Sequence, residues 1–590
     1  MPEIPTDRLM SSMSMAGALS PFAALEQCTL FDGLDTDALA RISERMQPVS
    51  FPPGAEISRA GKRGETMFLI VEGVAQAMPG TGDQRVVSKQ RRGDVIGATS
   101  LVTGDRHTVT VVASSYVSAL EMSRKDFERL MEEHPGIVVN FTKIMRRRLL
   151  RAYQGATEEE SSGEAVGLIF SSSLADLVPQ VVEAAGKASP RKVDWLDTRT
   201  GFHEAVARID QMLERHGTVV VAARAEGRSA QQLGEHTDRI VVLADGEPDA
   251  ASVAQMEELE GRRVELVLVE EQRGRERGRM VAGLPVIRSI GRDNGSLPPE
   301  DVAWLGRHLA RTKLGLALGA GGAKGYAHVG LLQGLEREGY VVDYVAGSSI
   351  GAIAGAYLAM GMDSSEVDRT LREAFNPDNV AELFTLTLAG ASKGLETIEQ
   401  VFRDTTNNGT FDDLVIPLVA MAVDLTERRP SPISDGPLWE ALMAATALAG
   451  MAPPYEMEGH RLVDGLALVP VPSGAAYEAG ADVVVSMNLM PRESLPAWPG
   501  LEPPPPQEEK KQGTRMLETI LEVNDLSAQD GSIRHAELAD VVLHPRFGPG
   551  SWRDFHLADL FLAAGREAIE EQLPTLKALA KPQHQTGVPT

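Results

Sequence analysis

Ser349 is the central residue of Gly347-Ser348-Ser349-Ile350-Gly351, a G-x-S-x-G sequence set between an apolar strand pattern, Tyr340 to Ala346, and an Ala/Gly-rich helix pattern running through Met360. In that context the motif has a mechanical meaning. Flanking glycines remove Cβ clashes on a sharp strand-to-helix turn, so the serine hydroxyl stands exposed at a helix N-terminus, where negative charge is favoured. Ser348 occupies a variable position of the motif. The chemistry on offer is nucleophilic attack, which needs a base to take the hydroxyl proton. Asp464, in Arg461-Leu462-Val463-Asp464-Gly465 after a short strand, is the candidate. Its competing reading is a turn aspartate satisfied by its own backbone.

Upstream, the apolar run Leu314 to Leu318 feeds Gly319-Ala320-Gly321-Gly322-Ala323-Lys324-Gly325 and a helical pattern from Ala327 to Glu338. Strand, glycine loop and helix together aim backbone N–H groups at an anion. A dinucleotide fingerprint fails because its sixth position is Lys324. A P-loop fails because Lys324 follows Ala323 and precedes Gly325. Two readings remain: an oxyanion hole, or a tight turn without a ligand.

The stretches LGLALGAGGAKGYAHVGLLQGLEREG, YVAGSSIGAIAGAYLAMG and ATALAGMAPPYEMEGHRLVDGLALVPVP, in that order, resemble patatin-like phospholipases, nearest the bacterial branch related to neuropathy target esterase. The resemblance runs in register over 312–490 and more loosely to 575. It implies a three-layer α/β hydrolase domain over 312–580, within which the Pro/Glu-rich composition of 499–513 reads as a loop. It also implies a Ser349-Asp464 dyad without histidine, an elbow built on Gly347 and Gly351, and an oxyanion hole at Gly321, Gly322 and Ala323 with Lys324 as its basic residue. His328 then packs within its helix. The implied reaction is hydrolysis of fatty-acyl esters of a phospholipid or lysophospholipid through an acyl-enzyme, with no metal or cofactor. Leu466 stands where the family usually has glycine or alanine, and Met443-Ala444-Ala445-Thr446 replaces a usual Arg-Ala-Ser.

Near the N-terminus, Phe51-Pro52-Pro53-Gly54-Ala55-Glu56-Ile57, Gly61, Gly64 and Met67-Phe68-Leu69-Ile70-Val71-Glu72-Gly73 space their glycines as a β-roll would. Together with Gly93-Asp94-Val95-Ile96-Gly97 and Asp105-Arg106-His107-Thr108 they resemble a cyclic-nucleotide-binding domain over 21–155. The resemblance makes Arg106 and Gly97 the contacts to a cyclic phosphate, but Ala98 stands where a ribose-binding glutamate is expected. A lost charge-assisted bond costs roughly 1.5 to 3 kcal/mol. The expectation is a weak cyclic-nucleotide effector, or a degenerate, structural or dimerising module.

The elements that must position these sites fall into separate segments. Residues 1–20 read as a flexible tail. Strand patterns at Met67–Val71, Val109–Val112 and Ser118–Met122 precede one long helix, Asp126 to Tyr153. The basic Arg146 to Arg151 on that helix read as a solvated face, or as a contact to a membrane surface. The acidic, serine-rich 156–164 is a linker. From 165 to 295, strand patterns at Val166–Phe170, Val219–Ala223, Ile240–Leu243 and Val264–Val269, with a helix Phe202 to His216, give a small, degenerate α/β domain. The run Arg273 to Arg279 reads as a solvated loop. A multidomain chain also follows from 590 residues, too many for one core.

A formal net charge of −25 argues against broad affinity for nucleic acid. The single Cys28 excludes an internal disulfide framework. No run reaches the roughly 18 to 20 apolar residues of a spanning helix, and the N-terminus lacks a basic n-region. These features lead to the expectation of a cytoplasmic protein that touches the inner membrane face transiently. Two rivals stand beside the serine esterase: a Ser-His-Asp hydrolase using His535, His544 or His556, and a non-catalytic regulatory or scaffold protein with a decayed hydrolase fold.

Overall fold

Leu314–Leu318 and Val483–Met487 are buried at every position and Val342–Ser348 at all but its first, as strands covered on both faces must be. The computed structural model describes residues 25 to 583 apart from 26–27, 32–33, 53, 73–74, 80–87, 91–92, 114–116, 135, 139, 142–163, 199–207, 210–211, 214–216, 226–229, 231–232, 234–236, 248–263, 272–278, 282–283, 293–295, 384–392, 450, 491–514 and 549. Two units part between Thr312 and Lys313.

In the C-terminal unit the three strands form the middle of one sheet. Its spatial order is Val541–Leu543, Val483–Met487, Leu314–Leu318, Val342–Ser348, Leu418–Asp424, His460–Asp464 and Tyr455–Met457, with Arg429–Ile433 also paired to Leu418–Asp424. The first five run parallel and the other three antiparallel. Leu314, Leu316 and Leu318 enter one apolar cluster while Ala317 enters another, as the two-residue period of a strand requires. The helices Tyr326–Glu338, Ile350–Ala359 and Ala558–Leu579 fill the first cluster, and Ser473–Ala479 covers the second.

The other unit opens with two four-stranded antiparallel sheets. One is Gln47–Phe51, Val117–Ser123, Thr66–Glu72, Val95–Ile96; the other is Glu56–Ser58, Val109–Ala113, Ala75–Pro79, Ser88–Gln90. Ile57, Ile70, Val111 and Val117 from both sheets share one core, which makes this a β-roll. The long helix expected from Asp126 to Tyr153 is corrected. It runs from Arg124 to Glu133 and breaks at His134, whose φ of −132° and ψ of 81° leave the helical region. Pro135 follows, and the residue before a proline is pushed out of that region. Residues 142–153 lie outside the described set.

The middle sheet has the order Val193–Asp197, Thr218–Arg224, Glu164–Phe170, Arg239–Asp245, Val264–Glu270, Leu284–Gly291, Met280–Val281, parallel except for the last pair. The half-exposed Val193–Asp197 carries no clean apolar pattern, so the sequence did not announce it. Most of the expected helix Phe202 to His216, and most of the Arg273 to Arg279 run, lie outside the described residues. The helix Pro299–Ala310 belongs to the same core through Trp304, Leu305 and Leu309, beyond the expected limit at 295.

Arg239 begins a central strand of this sheet and is 2% exposed. It bonds Glu164 at 3.2 Å, Glu265 at 3.0 Å and the His308 and Leu309 carbonyls at 2.9 Å, near the helix end. Arg311 adds a bond to Glu164 at 2.8 Å. Burial alone would raise the Glu164 carboxyl, but the charges and hydrogen bonds of Arg239 and Arg311 outweigh it and hold it at about 2, against an ordinary 4.5. A depressed native value means stability that is complete above pH 4.5 and lost as pH falls toward 2, about 3 kcal/mol in all. Arg239→Met removes the guanidinium that Glu164 and Glu265 share, leaving Glu164 with Arg311 and Glu265 with His308. It also takes the donor from the His308 and Leu309 carbonyls, and should cost about 3 kcal/mol. Urea unfolding of the full chain should show an earlier transition for this unit; an unchanged one would place the cluster outside its cooperative core.

Candidate active site

The strand Val342–Ser348 ends directly before Ser349 and the helix Ile350–Ala359 begins directly after it. Ser349 alone therefore absorbs the change of direction, at φ 54° and ψ −125°. A residue with a Cβ reaches that conformation only at a cost the surroundings must offset. The strand runs two residues further than the sequence pattern indicated, and this is what makes the turn so abrupt. Gly351 could carry no side chain: a Cβ there would lie 2.0 Å from the Leu318 carbonyl oxygen.

Asp464 ends the strand His460–Asp464. Its position follows from the strand Leu418–Asp424, on which Ser348 pairs with Met421 and Asp464 with the next residue, Ala422. Ser349 Oγ thus donates to Asp464 Oδ2 at 2.6 Å across a sequence separation of 115. The Leu466 N–H donates to Oδ1 at 2.8 Å. One oxygen of this aspartate caps its own turn and the other meets the serine. The carboxyl is 2% exposed. Burial pushes it up to about 6, against the pull of the Ser349 hydroxyl and the Leu466 amide. A carboxylate at that level accepts a proton near neutral pH far more readily than a solvated one.

In the glycine loop, the Gly319 N–H donates to the Met487 carbonyl, Ala320 to Pro470, Ala323 to Trp552 at 2.7 Å and Lys324 to Gly321 at 3.2 Å. The expectation that Ala323 serves an oxyanion is therefore corrected: its amide is committed to the Trp552 carbonyl. The amides of Gly321 and Gly322 are the ones the loop leaves for an anion. Gly322 has a φ of 56° and lies against the Trp552 ring. The Lys324 ammonium sits 5.4 Å from the Phe547 ring centroid. Trp552 and Phe547 were not anticipated, because no periodic pattern marks the segment that carries them.

His328 is fully buried, with Nε2 2.9 Å from the Gly319 carbonyl oxygen. Leu466 packs with Ala320 and Ala528, beside Leu448 and Met490, giving the site an apolar flank. His535 is buried and held down to about 4 by that burial. Burial also lowers His544, and His556 lies on the short turn Phe555–Leu557. A Ser-His-Asp relay needs an imidazole between serine and aspartate, whereas Ser349 and Asp464 touch directly.

In the β-roll, Gly97 caps the short helix Ala98–Thr103 at φ 87°. Arg106 donates to the Gly61 carbonyl at 2.7 Å. Ser100 Oγ lies 3.0 Å from His107 Nδ1. Arg124 donates to the carbonyls of Gly64, Ser100 and Leu101. Among the described residues there is no cluster of three or more metal-ligating side chains, and no helix long and apolar enough to cross a membrane.

Residues 316–477 match the family model for patatin-like phospholipase and residues 48–134 that for the cyclic nucleotide-binding domain. The chain therefore carries a patatin-like phospholipase domain behind a domain of the cyclic nucleotide-binding type. It is similar over most of its length to the NTE family. An uncharacterized NTE family protein of Mycobacterium tuberculosis is 22% identical over 575 residues, 93% of this chain and 96% of that one. Another, from Mycobacterium bovis, is 32% identical over 206 residues, 34% of this chain and 55% of its own. The human patatin-like phospholipase domain-containing protein 6 is 24% identical over 511 residues, 74% of this chain. The chain spans 37% of that longer relative.

The raised Asp464 carboxyl has a consequence for stability. The native state keeps this proton when the unfolded chain has lost it. Its stabilisation is therefore complete below the ordinary 3.8 and declines as pH rises through about 6, by roughly 3 kcal/mol. Asp464→Asn should melt later than wild type near pH 8, and the gap should close near pH 4. A variant melting earlier than wild type at both pH values would show that the carboxylate is not strained by burial.

Proposed function

We propose that this chain hydrolyses fatty-acyl esters of phospholipids or lysophospholipids, with Ser349 as nucleophile and Asp464 as base. The observation that carries the reading is the 2.6 Å hydrogen bond from a strained elbow serine to a buried carboxylate. As Ser349 Oγ attacks the ester carbonyl carbon, Asp464 Oδ2 takes its proton. The negative charge forming on the carbonyl oxygen is met by the Gly321 and Gly322 amides. Collapse expels the alcohol, which takes the proton from Asp464 and leaves an acyl-serine. Asp464 then draws a proton from water as that water attacks the acyl carbon. Collapse breaks the bond to Ser349 Oγ, which takes the proton back from Asp464 as the fatty acid leaves. The apolar flank of Leu466, Ala320 and Ala528 suits an acyl chain. The similarity to a patatin-like phospholipase domain-containing protein supports the same substrate class. A bilayer-borne substrate implies transient contact with a lipid surface, at the inner membrane face if the protein is cytoplasmic.

The β-roll is read as a structural module with little or no response to cyclic nucleotides. Arg106 is engaged with Gly61, and Ala98 offers no carboxylate to a ribose. Millimolar cAMP or cGMP should leave the thermal unfolding of the full chain and its hydrolysis rate unchanged. A saturable shift in either would overturn this half of the reading.

Hydrolysis of a nitrophenyl ester and of a lysophospholipid should fall by about three orders of magnitude or more in Ser349→Ala and Asp464→Asn. It should rise with pH through about 6 in wild type, as Asp464 deprotonates. Alanine at His535, His544 or His556 should leave it standing. Activity surviving in Ser349→Ala would refute the assignment. Folded wild type that neither turns over nor takes a fluorophosphonate at Ser349 would favour the scaffold.

A further inference from the structure

Gly319, Gly321 and Gly322 give the oxyanion loop three residues that accept either sign of φ. Peptide planes in such a loop flip readily, and a flipped plane presents a carbonyl where an amide is needed. The loop must be held by its neighbours. The peptide between Gly319 and Ala320 is gripped at both ends: its N–H donates to the Pro470 carbonyl at 2.8 Å, and its carbonyl oxygen lies 2.9 Å from His328 Nε2. The peptide between Gly322 and Ala323 is fixed by its N–H, bonded to the Trp552 carbonyl at 2.7 Å. Two peptides lie between these clamps, and they carry the amides of Gly321 and Gly322. The carbonyl of the second accepts from the Lys324 amide at 3.2 Å, which turns the Gly322 N–H the opposite way.

All of these restraints come from the backbone except one. We propose that His328 is a positioning residue for the oxyanion hole: its Nε2–H, donated to the Gly319 carbonyl, fixes the plane from which the Gly321 and Gly322 amides take their direction. The inference rests on the serine-hydrolase reading above. Only one tautomer serves. With the proton on Nδ1, the Nε2 lone pair would face the carbonyl lone pairs; with it on Nε2, the contact is a hydrogen bond. Nδ1 is buried with no hydrogen-bond partner, so the ring gains nothing from a second proton. Burial accordingly pushes the imidazole down to about 4, only partly offset by the bond to Gly319. The ring is thus a neutral donor at working pH, and neither of its nitrogens bonds Ser349.

The test compares His328→Gln, which keeps an N–H donor, with His328→Met, its apolar near-isostere, in the full chain. Wild type must first hydrolyse the nitrophenyl ester and take the fluorophosphonate at Ser349; failure there counts against the hydrolase reading and not against the histidine. With that in hand, His328→Met should lose about 10- to 100-fold in kcat with KM within about twofold, the pattern of misaligned transition-state contacts. His328→Gln should recover most of the loss, and Ser349 in both variants should still be reached by the probe, more slowly in His328→Met. Equal kcat for His328→Met and wild type, or equal loss in both variants, would overturn the proposal and return His328 to packing. Should His328→Met not fold, imidazole nitrogen spectra of wild type decide: Nε2 protonated and Nδ1 bare near neutral pH supports the proposal, and the reverse overturns it.

Discussion

The strand Leu418–Asp424 is the ruler on which the site is laid out. It pairs with the strand that ends in the elbow and with the strand that ends in the aspartate, and those two ends fall on adjacent rungs. Sheet register is set by side-chain alternation, and a slip of one residue turns every side chain to the opposite face. The serine–aspartate contact is therefore a property of the sheet's register and needs no flexible loop to bring it about. A side chain at Gly465 would collide with the Met421 carbonyl and the Ser348 hydroxyl, so the same strand also restricts what can follow the aspartate. Packing on both faces then holds the register, through Ala420 and Ala422 on one side and Met421 on the other.

Local chemistry was legible in the sequence where it depended on near neighbours. Gly347, Ser349 and Gly351 lie within one turn, and the steric reason for their order needs no distant residue. The glycine loop is likewise read from one strand and one helix. Asp464 stood out by its motif, but the sequence held no measure of its distance from Ser349. That distance depends on Leu418–Asp424, an alanine- and methionine-containing strand whose composition does not announce a strand. Ala323 was misjudged for a related reason. Whether an amide is free depends on what packs against it, and here that is the carbonyl of Trp552, far down the chain. Arg239 sits one residue ahead of the expected strand Ile240–Leu243, and its guanidinium is enclosed by the carbonyls of His308 and Leu309 from the helix Pro299–Ala310. In the β-roll the glycines and alternating strands fixed the architecture, while Pro135 was overlooked as the stop of a helix.

Glu164 and Asp464 illustrate opposite uses of desolvation. Glu164 is surrounded by guanidinium groups and stays ionised well below the ordinary range. Asp464 meets a hydroxyl and one amide, with no cation beside it among the described residues, and is raised by burial. The first arrangement adds stability to a sheet; the second gives some up above about pH 6 to keep a carboxyl group beside a serine. Functional groups are expected among such strained positions, and the contrast separates the two carboxylates without reference to any motif.

The bond from Ala323 to the Trp552 carbonyl bears on the order of synthesis. The serine, the aspartate and the glycines have all left the ribosome well before residue 552 does, yet the loop is not held at its second end until then. A nascent chain thus carries Ser349, Asp464 and the glycines while the loop is held at its first end alone. If the proposed hydrolysis depends on both clamps, it would arise only as translation draws to its close.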